Sequence, residues 1–78
     1  MSTPIQLQHG RRYTADIELG YFEAIAGNAM IKDKLEDAGF INVIITGDGR
    51  RRTARGQWGG ETRSVDLPSQ VKNVRMVP

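Results

Sequence analysis

Apolar and polar residues alternate without exception from position 13 to position 19, and this pattern predicts a β-strand. The apolar positions are Tyr13, Ala15, Ile17 and Leu19, and the polar positions are Thr14, Asp16 and Glu18. Because successive side chains of a strand point to opposite faces, we expect one face against a core and the other in water. Gly20 ends the alternation.

After Gly20 the apolar residues follow a helical period, which predicts a helix over residues 21–38. Gly39 stands where a C-cap residue with a left-handed backbone belongs, and Phe40 can pack back on the last turn. The stripe expected to face the core comprises Ala24, Ile31, Leu35 and Ala38, flanked by Tyr21, Ile25 and Asn28.

A second apolar group lies on the opposite side of the first turns of this helix. It consists of Phe22, Ala26, Ala29 and Met30. A helix segment that is apolar nearly all round is usually covered on both sides. Two interpretations follow: either a tail of the chain folds over this surface, or the surface is an interface for self-association or for a partner.

The rest of the chain predicts three more strands, over residues 41–46, 50–58 and 61–67, with glycine turns at 47–49 and 59–60. In the second of these strands Trp58 should anchor the inner face, with Gly56 leaving room for it or for the helix. Pro68 ends the last strand. The tail after it has room for one helical turn and a short edge strand through Val74 and Met76.

Together these elements predict an α+β fold in which one helix packs on a small mixed sheet, in the order β-α-β-β-β. A right-handed crossover should place the first two strands parallel, with the helix on one face of the sheet. A short C-terminal edge strand completes the sheet if the tail adds to it. The chain is expected to form a single domain over residues 1–78, with a polar N-terminal segment (1–10), a core (11–67) and a C-terminal tail (68–78).

The first half of this pattern, roughly residues 13–45, resembles a SPOR domain. The matching stretches are Tyr13 to Ile17, Asn28-Ala29, Leu35, Ala38 to Phe40, and Val43 to Ile45. SPOR domains have a strand, a helix with an Asn-Ala pair and a leucine before a Gly-Phe stop, and a second strand. The resemblance implies a ferredoxin-like fold, whose sheet face binds bare peptidoglycan glycan strands in that family. The second helix of the family has no counterpart in this chain's pattern.

The residue types in the chain do not favour catalysis. There is no cysteine, so a disulfide and a thiolate metal site are excluded, and the one histidine, His9, has no catalytic partner near it in the sequence and cannot form a metal site alone. Asp16 and Glu18 share the exposed face of a flat strand, which offers no pocket to raise a pKa. The glycine turn at 47–49 leads into a strand, whereas a phosphate-binding loop leads into a helix. We therefore predict a protein that is not an enzyme, with no cofactor, metal or small-molecule substrate.

The N-terminus lacks the pattern of a signal peptide, and no apolar run approaches the roughly 20 residues that a membrane-spanning helix needs. We therefore expect a cytoplasmic protein, or one incorporated into an assembly formed in the cytoplasm, with no membrane partner. The formal net charge of +2 is too small to indicate a partner by itself.

Positive charge is concentrated in residues 47–64, which contain five arginines and two carboxylates. The candidate contacts for an anionic partner are Arg50, Arg51, Arg52 and Arg55. A basic hairpin of this kind can follow a phosphate backbone while Trp58 stacks on bases. It can equally bind an acidic protein surface, or remain a solvated strand in which charge deters edge pairing.

The resulting hypothesis is a small non-enzymatic module for protein–protein binding or assembly. It would self-associate or act as a subunit of a larger complex, of bacterial or bacteriophage type, because small domains without disulfides often gain stability from a partner subunit. The alternative is a nucleic-acid-binding protein that uses the arginine-rich hairpin.

Overall fold

The computed structural model describes residues 4–20 and 27–78, and these form six β-strands and one α-helix. The elements are β1 (Pro4–Leu7), β2 (Arg12–Glu18), α1 (Asn28–Ala38), β3 (Phe40–Asp48), β4 (Arg51–Trp58), β5 (Arg63–Asp66) and β6 (Val71–Met76). The predicted α+β class with one helix is confirmed for these residues. The predicted order β-α-β-β-β is incomplete, because β1 and β6 flank it and β5 belongs to a second sheet.

The larger sheet has the strand order β3-β4-β2-β6, and every neighbouring pair in it is antiparallel. The first two predicted strands, β2 and β3, do run parallel to each other. However, β4 lies between them, so the sheet contains no parallel pair and the prediction of a mixed sheet is wrong. This is a split β-α-β arrangement. The predicted hairpin between β3 and β4 is confirmed, since Asp48 pairs with Arg51 across the turn.

The smaller sheet consists of β1 and β5 in antiparallel pairing. The strand predicted over residues 61–67 therefore does not continue the larger sheet, because the chain leaves that sheet after Trp58. The N-terminal segment 1–10 was expected to be merely polar, yet Leu7 is fully buried in the core. The sequence does not predict β1, because only Ile5 and Leu7 alternate with polar residues, and two apolar residues are too few to define a period.

The C-terminal tail adds β6 to the free edge of β2, as expected for a short edge strand. Val74 packs against the core from this strand, whereas Met76 is largely exposed. The predicted helical turn before it is absent: residues 69 and 70 form a turn that is closed by the Val71 amide donating to the Pro68 carbonyl.

The described helix is shorter than predicted, because Gly27 has extended backbone angles (φ −74°, ψ 157°) and α1 begins at Asn28. A continuous helix from 21 to 38 is therefore wrong at Gly27. The C-cap is confirmed: Gly39 has φ 122°, and its amide donates to the Glu36 carbonyl. Leu35 is buried and Ile31 and Ala38 are partly buried, as the core stripe predicts. Three further residues of that stripe, Tyr21, Ala24 and Ile25, lie outside the described residues.

The core lies between α1, the smaller sheet and one face of the larger sheet. Its buried apolar residues are Leu7, Tyr13, Ile17, Leu19, Leu35, Phe40, Val43, Ala54, Trp58 and Leu67. Alternation along β2 and β4 places Tyr13, Ile17, Ala54 and Trp58 on the same face of the larger sheet. The fold therefore covers one face of the larger sheet and turns the other outward.

Trp58 is 0% exposed and joins the two sheets. Its ring meets Phe40 edge to face, with centroids 5.0 Å apart, and its Nε1 donates to the Glu61 carbonyl. Two glycines lie against the ring: a Cβ at Gly39 would be 2.9 Å from it, and one at Gly60 would be 2.8 Å from it. Gly56, which the sequence suggested for this role, instead faces Phe40 and Val43.

Candidate functional site

The outward face of the larger sheet, called here the open face, is built from the polar positions of its strands. In β2 these are the residues that alternate with the core, and the antiparallel register aligns them with outward residues of β3, β4 and β6. Residues paired directly across antiparallel strands point to the same face, so the open face consists of short cross-strand rows. No residue among 4–20 and 27–78 packs over these rows as α1 packs over the other face.

Two neighbouring rows at one end of the open face form what we call the basic half. The first row contains Ile41, Gln57, Arg12 and Val77, and the second contains Ile44, Arg55, Thr14 and Arg75. Val77 belongs to the first row because its amide donates to the Arg12 carbonyl, which puts it opposite Arg12. These eight residues include three arginines and no carboxylate. The surface here is concave and lined by all three arginines.

The other end of the open face carries both signs of charge. Lys72 Nζ lies 2.8 Å from a carboxylate oxygen of Glu18. This hydrogen bond, with the positive charges of Lys72 and Arg51, holds the pKa of Glu18 below its ordinary value. Asp48 pairs across the sheet with Arg51. The acidic side chains of the open face are therefore accompanied by cations, and this end has no strong net charge.

The cations of the basic half are less well neutralised. Arg75 lies 3.9 Å from an Asp16 carboxylate oxygen and donates to the Asn73 carbonyl. The guanidinium groups of Arg12 and Arg55 form no hydrogen bond or ion pair with any residue in the described ranges. A guanidinium keeps its charge at all ordinary pH values and presents a fork of donors that matches a carboxylate. The basic half thus has two unengaged anion-binding side chains beside a partly engaged third.

Both edges of the larger sheet are interrupted by a bulge with an asparagine at positive φ. Asn42 in β3 and Asn73 in β6 each have φ 54°, and the strand register shifts at each point. Asn42 donates to the Gln57 side chain, and Asn73 donates to an Asp16 carboxylate oxygen. Bulges twist an edge and disrupt its row of free backbone groups. Neither edge therefore presents a regular row of free backbone groups to an added strand.

The structure separates the four arginines that the sequence grouped as one anionic contact. Arg55 lies in the basic half, and Arg51 lies at the mixed end of the same face. Arg50 is exposed in the turn, where its Nε donates to the Leu19 carbonyl. Arg52 is only 7% exposed and belongs to the inner face. Arg52 is thus not available to an external anion.

Arg52 holds the start of the helix against the β3–β4 turn. Its Nε donates to the Gly49 carbonyl, and its Nη1 donates to the side-chain oxygen of Asn28. The Asn28 side chain in turn donates to the Gly47 carbonyl. A buried guanidinium needs such partners, because an unpaired charge away from water is costly. This arginine therefore has a structural role.

Sequence reasoning missed Arg12 and Arg75, the other two arginines of the basic half. Arg12 continues the alternation of β2 by one residue on its polar side, which is a signal that the sequence contained. Arg75 reaches the site only through the pairing of β6 with β2. That pairing joins residues far apart in the chain, and no local pattern reports it.

The candidate self-association face is only partly described. Ala29 and Met30 lie in the first turn of α1 and are exposed, with Met30 at 58%. Phe22 and Ala26 lie outside the described residues. The described part of this face is therefore uncharged and accessible to another chain.

His9 and the acidic residues do not form a metal site in the described part of the chain. The His9 Nδ1 lies 2.9 Å from the Gly60 carbonyl oxygen, in the connection between the two sheets. In the part of the chain that the structure describes, no three His, Asp or Glu side chains gather as a metal site would require. No helix within the same residues is long and apolar enough to cross a membrane.

Comparison of the chain with protein-family models, curated proteins and solved structures finds no match. The resemblance to the first half of a SPOR domain therefore stays a prediction.

Proposed function

We propose that this chain is a small non-enzymatic protein-binding module that self-associates and serves as a subunit of a larger assembly. The observation that carries the proposal is the exposure of large apolar side chains on two separate surfaces. Met30 at the start of α1 and Ile44 on the open face are each 58% exposed, and Ile41 beside Ile44 is 47% exposed.

Covering these side chains would add burial that the isolated chain lacks. A domain near this size buries only about 60–65% of the surface of its unfolded chain, so its stability is limited. Each Å² of apolar surface removed from water contributes about 25 cal/mol. A partner that covers Met30 or Ile44 therefore stabilises the fold as well as the complex.

The two surfaces suit different partners. Ala29 and Met30 are uncharged, and the small side chain of Ala29 allows close approach, so this face suits a second copy of the chain. The open face combines aliphatic side chains with arginines, and arginine is enriched at protein interfaces. We assign self-association to the helix face and a second contact to the open face.

The alternative function is nucleic-acid binding through the exposed arginines of β4 and its turn. Arg50, Arg51 and Arg55 are exposed and favour this alternative. Against it, Trp58 is buried, so the one tryptophan of the chain is not available to stack on bases. Nucleic-acid binding would weaken steeply as salt rises, because each phosphate contact releases counterions.

The test of self-association is the mass of the chain in solution, measured by light scattering at low and high salt. We expect an oligomer for the wild type at both salt concentrations. Met30→Glu is expected to shift the mass toward the monomer, because the interface would then bury an unpaired carboxylate. Apolar association is not screened by salt, so the wild-type mass should persist at high salt.

Arg11→Ala is the matched control for this experiment. It changes the net charge by the same amount as Met30→Glu, and Arg11 is an exposed residue that precedes β2 and lies outside α1. The control should keep the wild-type mass. A wild-type chain that is monomeric under every condition would contradict the self-association.

A further inference from the structure

We propose that the basic half of the open face binds an acidic, partly apolar segment of a different protein. This inference rests on the proposed function, since it names the partner for the second contact of a protein-binding module. It concerns the surface around Arg12, Arg55 and Arg75, which is separate from the helix face at Met30.

Charge complementarity is the first argument. Arg12 and Arg55 have no anionic partner among the described residues, and the nearest carboxylate to Arg75 is 3.9 Å away. Arg55 and Arg75 stand on either side of Thr14 in one row, so they are two strand spacings apart, or about 10 Å. Two carboxylates on one segment can reach both arginines, whose guanidinium groups bind carboxylates in a bidentate manner.

The aliphatic residues beside the arginines are the second argument. Ile41 and Ile44 stand at the β3 end of the two rows, and Val77 stands at the β6 end. All three are exposed. A purely ionic ligand gains nothing from covering them, whereas a peptide that carries aliphatic side chains between its carboxylates buries them while the ion pairs form.

A nucleic acid fits this surface less well than an acidic peptide. The open face contains no aromatic side chain among the described residues, since Tyr13, Phe40 and Trp58 all belong to the core. Bases would therefore have no stacking platform, and stacking contributes about 1–3 kcal/mol per base at single-strand sites. Three arginines also make fewer phosphate contacts than the roughly 6–10 that a DNA-binding protein can make.

A second copy of the chain also fits this surface less well. Two basic halves would repel each other if they met face to face. Placing the basic half of one copy on the mixed end of another would use Asp16, Glu18 and Asp48 as partners. Asp16 already accepts from Asn73, Glu18 pairs with Lys72, and Asp48 lies opposite Arg51. A different protein with unpaired carboxylates has no such competition.

The experiment is a titration of the full chain with synthetic peptides, followed by amide NMR spectra. The first peptide is rich in glutamate with interspersed leucine. The second has the same charge but serine in place of leucine. The third probe is a single-stranded oligonucleotide of equal charge. We expect the first peptide to shift resonances of β2, β4 and β6 around Thr14, and to bind more tightly than the other two probes.

Arg55→Glu tests the assignment to this surface, and Lys32→Glu is its charge-matched control. Both replace one positive charge by one negative charge, but Lys32 is on the helix, which covers the opposite face of the sheet. Arg55→Glu should weaken binding of the first peptide by about tenfold or more, as expected for reversal of an interface charge. Lys32→Glu should change it by no more than about twofold, the part due to net charge alone.

Four outcomes would overturn the inference: equal effects of Arg55→Glu and Lys32→Glu, equal binding of the leucine and serine peptides, tighter binding of the oligonucleotide, or no binding of the first peptide. A chain that forms its oligomer but does not bind the peptide contradicts only this inference. A strict monomer that binds the peptide through Arg55 contradicts only the self-association. The two proposals therefore fail separately.

Discussion

Trp58→Ala is expected to remove much of the stability of the fold. Truncating a fully buried tryptophan costs about 3–5 kcal/mol, because apolar burial is lost and a cavity remains. The total stability of a domain near this length is about 4–12 kcal/mol at 0.05–0.15 kcal/mol per residue. The Tm should fall by roughly 12 °C or more, since each kcal/mol shifts the Tm of so small a domain by about 4–8 °C.

The reason lies in the contacts of Trp58, which come from both sheets and from the end of the helix. Phe40 touches its ring from β3, the guanidinium of Arg63 lies 5.6 Å from the ring centroid, and Glu61 accepts from its indole nitrogen. Loss of the ring should therefore loosen the smaller sheet as well as the core.

Thermal unfolding followed by far-UV circular dichroism measures this effect, since the variant has no tryptophan fluorescence. Arg55→Ala is the control, because Arg55 is an exposed residue of the same strand whose side chain forms no hydrogen bond or ion pair with the described residues. The control should stay within about 0.5 kcal/mol of the wild type. A Trp58→Ala protein as stable as this control would contradict the assigned core.

Gly39→Ala is expected to have the second largest effect, a loss of about 2–4 kcal/mol from two causes that add. Gly39 has φ 122°, a backbone conformation that residues with a Cβ rarely adopt. A Cβ there would also stand 2.9 Å from the Trp58 ring, whose burial leaves it little room to move. The helix C-cap and the tryptophan packing thus depend on the same glycine.

Two further glycine variants separate these causes when the free energy of unfolding of all three variants is measured by denaturant titration. In Gly49→Ala only backbone strain lowers the stability, because φ is 68° and no atom lies within 4 Å of the added Cβ. In Gly60→Ala only the contact with the ring lowers the stability, because the added Cβ would stand 2.8 Å from the Trp58 ring and φ is not positive. We expect Gly39→Ala to lose more stability than either control. Equal losses for Gly39→Ala and Gly49→Ala would show that the contact with Trp58 contributes nothing.

Local periodicity was sufficient to predict the elements that have a strong pattern. The alternation around Ile17, the glycine after Ala38, the hairpin at Asp48 and the edge strand through Val74 are all confirmed. It failed at β1, where two apolar residues are too few to define a period. It predicted the strand β5 but not its partner, because the four residues after Trp58 redirect the chain and the partner strand lies near the N-terminus.

The candidate site was harder to predict, because it is defined by pairing between distant strands. A run of arginines in the sequence looked like one contact, but alternation along β4 sends Arg52 inward and leaves Arg55 outside. The partners of Arg55 in the basic half, Arg12 and Arg75, come from β2 and β6. The bulge at Asn73 sets which residue of β6 joins their row, and no propensity rule reports such a bulge in advance.

The proposed contact with a partner requires that the open face is uncovered and presents aliphatic side chains to solvent. Relaxation of methyl protons by a soluble gadolinium chelate, measured on the dilute isolated chain, tests this most directly because it reports solvent access. The methyl groups of Ile41 and Ile44 should relax strongly, whereas those of buried Val43, between them in the same strand, should be protected. Methyl groups of Ile44 as protected as those of Val43 would contradict the claim.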